Sequence, residues 1–179
     1  MTKLILSATL FILSFLNVCA QKGKTFPGME AKTLEGTAVS LPQNLKGKNS
    51  MLCIVYSKKS EAALESWLRP VVNTFLVSNP LDPDPFKGNM YFVIMLSGIK
   101  DVASNVIENK LKKGLDRNYW KNVVIYQGPI KDYLENLEFG KKDDPYFCVL
   151  DKNGVISYST TGSYTDDKLQ EIESKVSEE

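Results

Sequence analysis

The chain has 179 residues, with 22 basic and 21 acidic side chains, a formal net charge of +1 and no histidine. Balanced charge argues against a nucleic-acid partner, which needs clustered Lys and Arg. Without histidine there is no Ser-His-Asp or Cys-His mechanism and no His-ligated metal site. The cysteines are Cys19, Cys53 and Cys148, too widely spaced for a Cys-X-X-Cys motif, and the two beyond residue 20 are too few for an all-cysteine zinc site. No metal and no cofactor is expected.

Residues 1–20 open with a lysine and continue through an apolar run, Leu4 to Leu16, to Val18 and Ala20. The run is short for a membrane span, which takes about 20 apolar residues, and has the layout of a secretory signal peptide cut before Gln21. The alternative is a lipid-modified Cys19 as the mature N-terminus, which would bring the protein to a membrane surface. Either route takes the protein out of the cytosol. Residues 21–179 are enough for one domain.

Short extended pieces flank a turn at Glu35-Gly36. Met51 to Ser57, MLCIVYS, is apolar on both faces and predicts a central strand. A helix follows, with Leu64, Trp67, Leu68, Val71, Val72, Phe75 and Leu76 on one face. Ser60 is its expected N-cap, and Pro70 is expected to kink it or to begin a second helix. A loop rich in Pro and Asp, SNPLDPDPFKGN, reads as a rigid acidic turn and leads to a second buried strand, Met90 to Leu96. A helix over 101–113 closes on Gly114; then come a short strand, Val123 to Tyr126, and a short helix opened by Pro129. PYFCVLDKNGVISYSTTG predicts two strands around a tight turn at Asp151-Lys152-Asn153-Gly154. Thr165 caps a final helix with Leu169, Ile172 and Val176 on its buried face.

Strands alternating with helices predict an α/β fold with helices on both faces of one sheet, and the terminal hairpin makes that sheet mixed. This order, with LEGTAVSLPQNLKGK, MLCIVYS and DDPYFCVLDKNGVISYSTTG, resembles the thioredoxin-like superfamily. The likeness is to its secreted branch, related to cytochrome-maturation thiol oxidoreductases and peroxiredoxins. A weaker likeness, in ESWLRPVVNTF, the Tyr-rich strand with its Ser-Gly and the long basic helix, is to the mitochondrial ATP synthase assembly factor family. That group keeps the fold without a redox pair. The resemblance implies a single thioredoxin-like domain over 21–179, a cis bond at Asp144-Pro145 facing the active site, and a redox Cys-X-X-Cys near Lys59 to Ala62, where this chain has KSEA.

The redox chemistry needs a thiolate of lowered pKa at a helix start and a resolving thiol within disulfide reach. Neither thiol is at KSEA. A Ser60 nucleophile activated by Lys59 would need a lysine of depressed pKa, which an exposed turn does not provide. Cys53 and Cys148 stand inside apolar runs, where cysteine behaves as a small buried hydrophobe; a disulfide between them is the alternative. The expected function is a secreted or periplasmic, non-redox protein that binds a protein or peptide partner in an assembly or chaperone-like role; the missing Cys-X-X-Cys and the absence of histidine lean against an enzyme without deciding it. The candidate surface is Tyr56, Lys58, Lys59 and Ser60 on one loop and Asp144, Pro145 and Tyr146 on the other, where an extended peptide would pair with backbone beside a cis proline. The competing expectation is a divergent thiol-disulfide oxidoreductase that works through Cys53 or Cys148.

Overall fold

The computed structural model describes residues 21–77, 86–98 and 101–178. The expected signal peptide, with Cys19, and the greater part of the Pro- and Asp-rich loop lie outside the described residues. Two nearly unbroken apolar runs, Ser50–Val55 and Tyr146–Leu150, pair antiparallel near the middle of the sheet. The elements in chain order are β1 (Met29–Thr33), β2 (Ala38–Leu41), β3 (Ser50–Val55), α1 (Glu61–Phe75), β4 (Asn89–Met95) and α2 (Asp101–Gly114), then β5 (Val123–Tyr126), α3 (Lys131–Asn136), β6 (Tyr146–Leu150), β7 (Ile156–Thr161) and α4 (Asp166–Ser177). Among the described residues the strands form one seven-stranded sheet in the order β2-β1-β5-β4-β3-β6-β7. Pairs β3–β4 and β4–β5 are parallel and the others antiparallel, so the sheet is mixed. This is a thioredoxin-like arrangement.

Alternation along the central strands sends side chains into two separate cores. Met51, Cys53, Phe92 and Phe147 pack with Trp67, Val71 and Phe75 of α1 and with Leu169, Ile172 and Val176 of α4. Leu52, Ile54, Val93 and Cys148 pack on the other face with Phe26, Leu41, Leu45, Tyr133 of α3 and the Leu137–Phe139 segment. Helices therefore cover both faces, and a strand buried on both sides must be apolar at nearly every position.

The β6–β7 turn forms as its sequence predicts. Oδ1 of Asp151 accepts from the amides of Asn153 (2.8 Å) and Val155 (2.9 Å). Gly154 has φ +85°, and a Cβ there would meet the Pro42 ring at 2.9 Å. Glycine is required at that position on both counts.

Two local expectations change, and the alternatives at Pro70 narrow to one. The cis peptide is Leu41–Pro42, not Asp144–Pro145. At Pro145 the chain keeps the trans isomer, the lower-energy form by about 0.5–1 kcal/mol, and the Pro145 carbonyl is occupied by Thr161 Oγ1 (2.9 Å) and the Gly162 amide (3.3 Å) of the hairpin's second strand. Helix α1 is continuous through Pro70 and no second helix begins there. Ser60 does not cap α1 through its side chain, because a 3-10 turn, Lys58–Ser60, precedes the helix and already gives Ser60 near-helical angles (φ −79°, ψ −3°). The cap moves back to Ser57, whose Oγ accepts from the Lys59 amide at 3.2 Å.

Trp67 joins α1 to the sheet and to the segment after β7. It is fully buried, its ring centroid lies 4.0 Å from that of Phe147, and its Nε1 donates to the Gly162 carbonyl at 2.8 Å. We expect Trp67→Ala to cost about 3–5 kcal/mol in urea denaturation. Trp67→Phe should cost about 0.5–1.5 kcal/mol, since it removes the partly buried hydrogen bond to Gly162. Losses below 1 kcal/mol for both would remove Trp67 as the anchor of that layer.

Candidate functional site

Strand β3 ends at Val55, and the chain then crosses from sheet to helix through Tyr56, Ser57 and the Lys58–Ser60 turn. The Tyr56 hydroxyl donates to the Phe139 carbonyl at 2.7 Å, and its ring stacks on Phe139 (centroids 6.4 Å apart) and on Tyr146 (6.1 Å). Phe139 and Tyr146 stack at 4.3 Å. The Tyr146 hydroxyl accepts from the Lys141 amide (2.7 Å) and donates to the Lys141 carbonyl (3.2 Å). These rings tie the segment after α3 across the ends of β3 and β6, so Tyr56 and Tyr146 are part of the wall that supports the loop.

Ser60 lies inside the KSEA segment, Lys59 to Ala62, where the resemblance places the redox Cys-X-X-Cys. It is 1% exposed, and its Oγ donates to the Ser57 carbonyl at 2.7 Å. The hydroxyl proton is engaged by backbone, and no base touches it. Lys58 and Lys59 are exposed; Lys59 Nζ lies 3.7 Å from Asp143 Oδ1, with both side chains largely in solvent. Such a pair contributes about 0–1 kcal/mol. The structure therefore brings Tyr56, Lys58, Lys59 and Ser60 together with the Asp144, Pro145 and Tyr146 loop, as their positions in sequence suggest. It withdraws four of the seven from a ligand: Ser60, Pro145 and Tyr146 are buried, and the Tyr56 hydroxyl is spent on Phe139. Asp144 is half-buried, and its neighbour Asp143 makes the ion pair.

The strand register settles the geometry of the two thiols. Cys53 lies opposite Phe147, and Cys148 opposite Leu52, one position away on the neighbouring strand. Directly paired residues share a face and successive residues alternate, so the two sulfurs point into different cores and are not joined. Burial, and next the nearby Cys148, push the Cys53 thiol well above its ordinary value, the reverse of what a nucleophilic cysteine needs. Among the described residues no cluster of three or more Asp, Glu, Cys or His side chains could hold a metal ion.

Beside the loop, a cleft opens between α1 and α2 above β3 and β4. It has two adjoining lobes of about 440 Å³ and 560 Å³, which share Val55, Leu64, Ile94, Leu111, Gly114 and Leu115 as lining. Tyr56, Ser57, Lys58, Ser60 and Glu61 border the second lobe. Sequence reasoning misses this cleft. The residues from α2 that line it are placed by how far that helix stands from the sheet, which no local pattern encodes.

A family model for the ATP10 protein matches residues 13–178. The chain belongs to the ATP10 protein family. That is the weaker of the two likenesses read from the sequence, and the thioredoxin-like fold is the stronger. Among solved structures, a thiol:disulfide interchange protein from Bacteroides sp. aligns at 22% identity and TM-score 0.58, covering 88% of this chain and 91% of that one. An exposed lipoprotein thioredoxin, Etrx1, from Streptococcus pneumoniae aligns at 22% identity and TM-score 0.54, covering 83% and 99%. BsSco, of the Sco family of cytochrome c oxidase assembly proteins, aligns at 11% identity and TM-score 0.57, covering 88% and 96%. At such identities each likeness carries the fold alone. None of the curated proteins matches.

Alkaline pH tests the local environments in this ATP10-family chain. Burial, then the Tyr146 hydroxyl and the carboxylates of Asp143 and Asp144, raise Tyr56; burial, then Tyr126 and Asp132, raise Tyr133. With Cys53 raised as well, the folded state holds these protons at pH values where the unfolded chain releases them. The resulting stability is complete below the unfolded values, about 8.5 for Cys and 10 for Tyr, and is lost as pH rises through the folded ones. Urea midpoints should therefore be flat through neutral pH and fall from about pH 9 upward, and Cys53→Ala should delay the onset of the fall. A midpoint that stays constant to pH 11 would contradict the burial of these groups.

Proposed function

We propose that this ATP10-family protein is an extracytoplasmic binding protein that holds a protein partner during assembly and performs no thiol-disulfide exchange. One observation carries the reading. In the KSEA segment, where the resemblance places the redox cysteines, neither thiol is present and Ser60 is buried and turned back onto the Ser57 carbonyl, while the surface around it keeps exposed Lys58 and Lys59. The support is a family of assembly factors by resemblance and the signal-peptide layout of residues 1–20.

The mode of contact differs from strand addition beside a cis proline. With Asp144–Pro145 trans and the Pro145 carbonyl bonded to Thr161 and Gly162, that backbone is not open to an incoming strand. Contact instead falls to side chains, with Lys58 and Lys59 presenting donors to acidic or carbonyl groups of the partner. The competing oxidoreductase reading needs Cys53 or Cys148 at the surface, and both are buried in separate cores.

The test combines in-cell crosslinking with an insulin-reduction assay. The double variant Lys58→Ala/Lys59→Ala should recover several-fold less crosslinked partner, roughly what loss of one or two charged contacts gives, with stability within about ±0.5 kcal/mol of wild type. Insulin should not be reduced. Reduction that disappears in Cys53→Ser or Cys148→Ser would replace this reading with the redox one, and full partner recovery by the lysine variant would move the surface elsewhere.

A further inference from the structure

We propose that the cleft between α1 and α2 is a binding site for one long-chain fatty acid, with the carboxylate between Lys58 and Lys110 and the chain running inward along Leu64, Ile94 and Leu111 toward Cys53. This goes beyond the protein-binding reading; the two share Lys58, and the site is therefore tested at Lys110 and Leu111, which that reading does not use.

Size, lining and charge each point to this ligand. The lobes, about 440 Å³ and 560 Å³, lie in the range of small-ligand sites. Their deep walls are apolar side chains from α1, α2, β3 and β4. The exposed residues at the loop end are Lys58, Lys110 and Glu61, two cations against one anion. Among the described residues neither lysine forms an ion pair. At the far lobe the exposed charges are Arg69 and Asp116, one of each sign, so an anionic head is drawn to the Lys58–Lys110 end.

The same walls disfavour a peptide. Backbone groups of helices and inner strands are already hydrogen-bonded to one another, so an extended peptide in the deep cleft would leave its own amides and carbonyls unpaired, a cost an alkyl chain does not carry. A helical segment satisfies its own backbone but is about 10 Å across, and a single turn of it fills roughly 400 Å³. Either lobe would thus take little more than one turn.

The test uses the full chain with cis-parinaric acid as a fluorescent probe and palmitate as competitor. Saturable displacement at one palmitate per chain is expected. Lys110→Glu, at an exposed position outside the 56–61 loop, should weaken palmitate by about fivefold to tenfold while leaving palmityl alcohol within about twofold. Leu111→Trp, which narrows both lobes, should abolish binding of both. Palmitate should also raise the urea midpoint of the wild type, and by less in Lys110→Glu. If Leu111→Trp fails to fold, Lys110→Glu decides the matter. Palmitate binding that ignores Lys110→Glu would overturn the site, as would displacement of the probe by an apolar peptide at the same concentration as palmitate.

Discussion

Burial of β3 on both faces is the constraint from which the rest of the molecule follows. Its neighbours β4 and β6 fix it from either side, and its residues feed alternately into two cores. A strand so placed tolerates no exposed or charged side chain along its length, so any chemistry it supports must begin where it stops. The chain leaves the sheet at Tyr56, and all polar possibilities of the site are compressed into the five residues before α1. In this chain those residues are used structurally: Ser57 caps the turn, Ser60 returns to Ser57, and Tyr56 clamps Phe139.

The order and type of the elements were legible because their signals are local. Heptad-like spacing marked α1 and α4, two-faced apolar runs marked β3 and β6, and Asp-Lys-Asn-Gly marked the hairpin turn. Readings that depended on tertiary choice fared worse. Ser60 has the composition of a cap, but a preceding 3-10 turn shifts the cap by three residues to Ser57. Tyr146, a candidate for the groove surface with core as its alternative, heads an apolar run, YFCVL, every residue of which is buried, and the run is the better guide. The isomer of Pro145 rested on family likeness alone, and this chain places its cis bond at Pro42.

Membership of the ATP10 family and a thioredoxin-like fold together describe the scaffold. The two cysteines beyond residue 20 do not make a redox pair with each other, since the period of two along a strand sends adjacent register positions to opposite faces. Beside the KSEA segment the scaffold carries a helix start bearing lysines and an apolar cleft under α2.

The far end of the sheet carries a different consequence. Residues 23–26 are hydrogen-bonded to the β6–β7 hairpin, through the Gly23 amide to Ile156, the Ile156 amide to Lys24 and the Phe26 amide to Gly154. That places residues 23–26 near the Ser50 and Leu150 end of β3, opposite Tyr56. Six residues of strand separate the two ends, about 20 Å at the usual rise. Gln21, whose Oε1 accepts from the Cys148 thiol, carries this stitch back toward the middle of β6, so a pull on the chain at Gln21 would strip residues 21–26 from the hairpin before any load reached β3.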